Sequence, residues 1–583
     1  MTKKAGSFEV LMKIGYGVVL GISIAALACS ASPARNADTG NADAKPRSQR
    51  VAAAAVEHWP EGRISQQGRP EIWNDGLGVL LEGMDSAWFE TADPRYYNYI
   101  KQSVDRFAGP DGVISTGKPE ENQLGNMLLG RQLLLLSGVT QDRRYAKAAT
   151  RLYEQKYPGP MRPETLYAAE PFYAEYASKF HHPEAFEEIA RQFTLAEKHA
   201  RDATSMGWYL MALVDTLAYY PESDAGRKKL IEILRSDADA ALRYQDRATG
   251  LWRQALDKPG AKGNTVESSA SCMLVYALAR AVREGYLPES YLDIAERGYR
   301  GILISFITVG ARAVSEDPTD AGAFVLASVE IENAGNAKVG RGATVMMDGW
   351  FNSQKHADAS GQQVLFHYKW DELSDSGFSL LGHAFRDFGA KTKVLADEPT
   401  LANLHEAQVF LIVSPDNPSK NPNPNYMQAK DVEQIADWVK AGGVLAIFEN
   451  DPQNADLEHL NLLAERFGIH YNSVLRKHVE GDKYEMGKIA IAGGGPVFRD
   501  PHSIYMKDVC TISVSAPAVS LLNDHGEVFM ATAKYGKGTV FATVDPWLYN
   551  EYTDGRKLPI ADFDNYAAGR ELVRWILEQV PSK

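Results

Sequence analysis

Residues 206–222, MGWYLMALVDTLAYYPE, place Leu210, Leu213, Val214 and Leu217 at the i, i+3, i+4, i+7 spacing of one helical face. Helical patterning of this kind runs from about residue 65 to 333. It is interrupted only by short polar connectors: TADPRYYNY (91–99), TQDRRYAKA (140–148), HHPEAFEEI (181–189) and YPESDAGRK (220–228). Each connector joins a turn to an acidic helix start, so successive helices fold back on one another as hairpins. About eleven helices in series suggest an α/α toroid or barrel rather than a four-helix bundle.

Near residue 335 the pattern changes. QVLFHY, AQVFLIVS (407–414), GGVLAIFEN (442–450) and VFMATAKYGKGTVFATV (528–544) read as strands, and helical segments such as AKDVEQIADWVKAG (429–442) alternate with the first three. That alternation builds a mostly parallel α/β sheet, with YGKG as a hairpin turn near its end. The expected organisation is an all-α domain over 65–333 and an α/β domain over 340–583. A length of 583 residues agrees, being far more than one core accommodates.

The first 29 residues read as an address. Lys3, Lys4 and Lys13 precede YGVVLGISIAALA (16–28), and Cys29-Ser30 follows, as in a signal peptide. An apolar run this short does not span a bilayer. ALAC resembles the bacterial lipoprotein box, in which the cysteine carries the lipid, with ordinary cleavage after Ala28 as the alternative. The expectation is an exported protein, periplasmic or held at the outer membrane through Cys29. Residues 30–64 read as a flexible tether, rich in Ala, Asn, Asp, Arg and Ser without apolar periodicity. A net charge of −13 argues against a nucleic-acid partner. Cys272 and Cys510 are the other two cysteines, too few for a disulfide framework and without zinc-ligand spacing, so no metal is expected.

Within the helical half, IWNDGLGVLLEGMDSAWFETADPRYYNYI (72–100), LYAAEPFYAEYASKF (166–180), MGWYLMALVDTLAYYPE (206–222), TGLWRQALDKPGAKGNTVESSASCMLVYALARAVREGYL (249–287) and AGAFVLASVEIE (321–332) resemble the unsaturated rhamnogalacturonyl hydrolases. These are glycoside hydrolase family 105, related to family 88. The resemblance covers nearly all of 65–333. It implies an (α/α)6 barrel with its pocket where the inner helices begin, a place where free N–H groups suit an anionic uronate. The implied substrate is a pectin-derived oligosaccharide with a C4=C5 double bond in its terminal uronic acid. A single carboxylic acid/base protonates the enol ether and activates water, with no metal or cofactor.

In YPGPMRPETLYAAEPF (157–172) the resemblance lays Glu164 on the family's acid/base aspartate. From the residues alone, Glu164 is an acid in a first turn opened by Pro163. It reaches about one methylene farther than an aspartate, and catalysis is sensitive to misplacement of about 1 Å. The family's second aspartate falls on Gly125, with Asn126 retained, and its arginine falls on Thr204, with Trp208 retained as a sugar-stacking face. Three rim and pocket segments, each of roughly twenty residues or more, are missing by the same comparison, which leaves the barrel either intact as a scaffold or incomplete. Trp252, Gln254, Asn264 and Glu267 are further candidates to line the pocket. The alternative makes Trp252 core, Asn264 a helix cap and Glu267 its capping-box partner. Trp73 fits either the pocket mouth or the core.

The C-terminal half resembles, in MMDGWFNSQ (346–354), FHYKWDELSDSGFSLLGHAFRDFGA (366–390), VSPDNP (413–418) and VDPWLYNEY (544–552), the α/β domain of some bacterial pectin-degrading lipoproteins, similar in outline to class I glutamine amidotransferases. It implies a flavodoxin-like sheet. No cysteine occupies a strand-to-helix elbow, so amidotransfer is not expected. Asp416, Asn450, Asp451, Asp545, Trp547 and Tyr549 fall at strand ends, where open α/β sheets take ligands and where turns also need such residues. The leading expectation is hydrolysis of unsaturated uronyl-rhamnose oligosaccharides; the alternative is a carbohydrate-binding or structural protein on the same barrel.

Overall fold

The structure, a computed structural model, describes residues 45–64, 73, 75–115, 125–155, 159–196, 202–305, 317–358 and 361–581. Twelve α-helices come first: α1 (Arg47–His58), α2 (Asp75–Thr91), α3 (Pro94–Asp105), α4 (Leu128–Thr140), α5 (Arg143–Tyr153), α6 (Pro163–Lys179), α7 (Ala185–Ala196), α8 (Ala203–Leu217), α9 (Ala225–Tyr244), α10 (Ser268–Arg283), α11 (Ser290–Ser305) and α12 (Pro318–Asn333). The even-numbered helices form the inner ring, each packed on the next, and α12 returns to pack on α2. Helices α3, α5, α7, α9 and α11 back onto the inner helix that precedes each of them. Inner helices are apolar nearly all round, as their burial requires, and they fill a continuous core from Leu77 to Val329.

The ring closes through a residue stretch read above as tether. Helix α1 packs against α12 as its outer partner, with Ala52 and Ala55 fully buried and Ser48 bonded to Glu332. Its buried face is built from alanines, a strong helix former that leaves little hydrophobic periodicity to detect. The tether expectation is therefore corrected for residues 47–58, and among the described residues the six inner helices each have an outer partner, which corrects the expectation of an incomplete barrel at the level of its helices.

The close approach of α2 and α12 depends on two glycines. A Cβ on Gly322 would lie 2.4 Å from the Val79 carbonyl oxygen, and one on Gly83 would lie 3.0 Å from the Gly322 carbonyl oxygen. Backbone meets backbone there, which only glycine permits.

The second core is a mixed sheet. Its elements are β1 (Thr344–Asp348), β2 (Lys355–Ala357), β3 (Gln363–Leu365), α13 (Ser379–Asp387), β4 (Lys391–Leu395), β5 (Val409–Val413), α14 (Ala429–Ala441), β6 (Val444–Phe448), α15 (Leu457–Ala464), β7 (Ile469–Arg476), β8 (Lys488–Ile491), β9 (His502–Tyr505), β10 (Val509–Val514), β11 (Ala518–Asp524), β12 (Glu527–Tyr535), β13 (Gly538–Thr543), α16 (Asn550–Thr553) and α17 (Asn565–Glu578). The strand order is β4-β1-β5-β6-β13-β12-β10-β7, with β11 beside β12. Strands β4, β1, β5, β6 and β13 are parallel and the rest antiparallel. Central strands such as VFLIV (β5) and VLAIF (β6) are buried at every position, the mark of a sheet covered on both faces. The YGKG turn joins β12 to β13 with Gly536 at φ +61°, as read from sequence.

Helices α13 and α17 seat this second core on the C-terminal end of α2. The Tyr566 hydroxyl donates to the Phe89 carbonyl at 2.6 Å, and the Trp88 indole donates to the Asp554 carbonyl at 2.9 Å. Arg570 bridges Glu90 (3.0 Å) and Asp387 (2.8 Å) across the junction, and Asn333 donates to Glu90 at 2.7 Å. The α/β half thus covers the barrel end where the inner helices finish.

Candidate functional site

At the other end, the starts of the inner helices are drawn together by specific contacts. A Cβ on Gly78 in α2 would fall 2.7 Å from Leu128, the first residue of α4. The Gly125–Met127 turn ahead of α4 packs on α6. The Tyr167 ring of α6 meets Trp208 of α8 with centroids 5.1 Å apart. The Ala203 amide at the start of α8 donates to the Gln254 carbonyl at 3.0 Å. The Ser268 hydroxyl of α10 donates to Asp320 of α12 at 2.9 Å.

Glu164 stands in the first turn of α6 behind Pro163, with its side chain 47% exposed. Its carboxylate lies 3.6 Å from the Arg162 guanidinium, itself 82% exposed. An ion pair this open to water contributes little to stability. Asn126 is half-buried in its turn, and Trp208 is half-buried with one face against Tyr167. Glu164, Asn126 and Trp208 all lie in, or just ahead of, the first two turns of inner helices.

Other sequence candidates are committed elsewhere. Trp252 is fully buried and its indole donates to the Ala241 carbonyl at 2.8 Å, so it is core. Trp73 is also buried, edge-on to Phe107 at 5.3 Å. Asn264 does not cap α10. Its side-chain oxygen accepts from the Ala255 amide (2.9 Å), and its amide nitrogen donates to the carbonyls of Ala255 (2.9 Å) and Lys258 (2.8 Å), folding the 253–266 loop. Gln254 is exposed on that loop and engages α8 through its backbone carbonyl. Glu267 is the N-cap residue of α10 but makes no side-chain cap bond, so the expected capping box is absent there. Cys29 lies outside the described residues.

Sequence reading missed a charged network inside the ring. Arg131 of α4 lies 2.6 Å from Glu82 of α2, 3.2 Å from Asp215 of α8 and 3.4 Å from Glu175 of α6. The Tyr276 hydroxyl of α10 donates to Asp215 at 2.7 Å, and Arg280 lies 3.3 Å from the same carboxylate. Five of the six inner helices are tied by it. Burial pushes the Glu82 carboxyl up to about 7 against the opposing pull of Arg131, and pushes Asp85 up to about 8. The signal in the sequence was a lone charge inside an apolar run, as in VLLEGM, LLGRQLL and MALVDTL. First-turn carboxylates at the mouth, Asp75 of α2 and Asp320 of α12, also passed unremarked.

Among the described residues, Glu90, His383 and Asp387 bring their ligand atoms within 4.8 Å of one another. Arg570 already binds both carboxylates, so a guanidinium fills the place a cation would take. Both described cysteines are buried, Cys510 within β10 rather than at an elbow, and burial raises both thiols. At the sheet's carboxyl edge, Asp416 accepts from the Ser353 amide, Gln354 and Asn421, Asp451 from the Gln453 amide and Asn454, and Asp545 from the Lys507 amide. Those three acids organise loops. Trp547 is fully buried.

Residues 47–205 and 203–319 match the model of Glycosyl Hydrolase Family 88. The match runs from α1 to the first turn of α12 and ends before the sheet, and it supports a glycosyl-hydrolase relationship for the matched residues. Protein Atu3128 of Agrobacterium fabrum is 34% identical over 146 residues, covering 20% of this chain and 62% of that protein. The chain therefore spans less than two-thirds of the curated relative's length. Among solved structures, a glycoside hydrolase from family 105 of C. acetobutylicum is 26% identical, covers 49% of this chain and 99% of its own, and superposes with a TM-score of 0.44. A possible family 105 member from Salmonella enterica is 20% identical over 52% of this chain and 98% of its own, with a TM-score of 0.42.

Proposed function

We propose that the family 88 region hydrolyses unsaturated uronyl-rhamnose oligosaccharides derived from pectin, with Glu164 as the acid/base. The observation that carries this reading is an exposed carboxylate in the first turn of an inner helix, at the mouth where Asn126 and Trp208 also stand. Protonated Glu164 gives its proton to C4 of the enol ether; the resulting carboxylate takes a proton from the water that adds at C5. The hemiketal so formed opens and releases the rhamnose hydroxyl. Arg162, exposed beside Glu164, supplies the cation for the uronate carboxylate that Thr204 does not. No metal or cofactor enters this scheme.

The test follows loss of the double bond's ultraviolet absorbance from an unsaturated galacturonyl-rhamnose disaccharide, with Glu164→Gln as the pair. Loss that vanishes in the variant supports the reading; a folded wild-type protein without turnover refutes it. Two observations favour a second reading, a binding protein on the same barrel: Gly125 provides no second carboxylate, and Trp252 and Asn264 are spent on core and loop. Saturable disaccharide binding without turnover would establish that one. We read the parallel strand order β4-β1-β5-β6-β13, which is 2-1-3-4-5 by position in the chain, as flavodoxin-like. We also propose export with lipid on Cys29, to be checked by fatty-acid labelling of wild type against Cys29→Ala.

A further inference from the structure

A concavity of about 350 Å³ lies in the α/β half, far in sequence from the residues of the barrel mouth, lined by Asp375, Tyr484, Glu551, Asp554, Arg556 and Lys557. That volume suits a small polar molecule. Its lining comes from the connection between β1 and α13 and from the segment after β13, both leaving the carboxyl edge of the parallel strands, where open α/β sheets take ligands, and Tyr484 is added from the connection between β7 and β8.

The walls are fixed before any ligand arrives. Asn550 is buried and donates to the carbonyls of Glu372 and Ser374, both at 2.9 Å, which clamps the Asp375 loop onto α16. The Glu551 amide donates to the Asp375 carbonyl at 2.9 Å. Arg556 reaches Asp375 at 2.5 Å and Asp554 at 2.6 Å, and its guanidinium lies over the Tyr97 ring of α3 at 5.6 Å. Lys557 pairs with Glu551. The Tyr484 ring stands edge-on to Tyr505, centroids 5.8 Å apart.

We propose that this concavity is a second carbohydrate site, selective for neutral sugars. Carboxylates accept from neighbouring hydroxyls, the guanidinium and ammonium donate to hydroxyl and ring oxygens, and a tyrosine face packs on the C–H face of a pyranose. Three carboxylates against two cations leave the lining with one excess negative charge, which disfavours a uronate. The site goes beyond the barrel reading and stands even where Glu164 is inert.

The test is saturation-transfer NMR on the full chain with L-rhamnose, D-galactose and D-galacturonate as probes. Transfer to either neutral sugar, with galacturonate about tenfold weaker, is the expected result. Tyr484→Ala weakens neutral-sugar binding about tenfold. Asp375→Asn, at a side chain 64% exposed, is the second variant and weakens binding in the same direction. No transfer to either neutral sugar overturns the proposal. So does binding that survives both Tyr484→Ala and Asp375→Asn.

Discussion

Replacing Arg131 by methionine keeps an unbranched stem and removes the only guanidinium bonded to Glu82 and Glu175 among the described residues. The partners are 5%, 16% and 2% exposed at Glu82, Glu175 and Asp215, so water cannot take over. Breaking a buried pair from one side costs about 3–5 kcal/mol. In a domain of this size about 1 kcal/mol moves Tm by roughly 2 °C, so the expected fall is roughly 6–10 °C. The fall also depends on pH. Glu82 titrates near 7 in the folded chain against 4.5 as its ordinary value, so the folded state holds a proton that the unfolded state has released between those values. Stability from that proton is present at pH 4.5 and lost as pH rises through 7, a span worth roughly 3 kcal/mol. Without Arg131, Glu82 and Glu175 take up protons more readily, so the variant recovers part of its loss at pH 5 and shows all of it at pH 8. Thermal unfolding of both proteins at the two pH values, followed by circular dichroism at 222 nm, is the assay. A fall below about 2 °C at pH 8, or an equal fall at both pH values, would refute the reasoning.

Gly322→Ala drives a methyl into the α2 backbone. It should lower Tm by roughly 2–6 °C although alanine favours a helix by about 1 kcal/mol, because overpacking costs about 1–3 kcal/mol or more; an unchanged Tm would mean that α2 and α12 move apart freely. Arg570→Met strands Glu90 and Asp387 at the junction, and hydrogen exchange should accelerate in α13 and α17 while α8 stays protected. Uniform exchange across both halves would contradict a local junction. Asn264→Ala releases a loop whose residues 257–263 are all exposed. Limited proteolysis there should speed up severalfold with Tm within about 2 °C of wild type, and an unchanged cleavage rate would show that the loop holds without it.

Periodicity alone determined the architecture of this chain in outline. The 3.6-residue stripe and its polar connectors specify serial helical hairpins, because each stripe needs a partner and short connectors allow only the neighbour. The switch to alternating strand and helix near residue 335 specifies a sheet, because apolar runs such as VFLIV are too short to bury as helices. What periodicity does not carry is any pairing between residues far apart in the chain. Helix α1 was invisible because its buried face is alanine, whose small side chain leaves no amphipathic signature, yet it completes the ring through α12 some 270 residues later. Trp252 and Asn264 look like ligand-binding types in sequence; only the fold shows that Ala241 and the 253–266 loop have claimed their polar groups. Arg131 and its four acidic and phenolic neighbours lie on five different helices, and a single charge in an apolar run says nothing of its partners until the ring closes. Local chemistry set the elements, and tertiary structure decided which polar side chains were left to face a ligand.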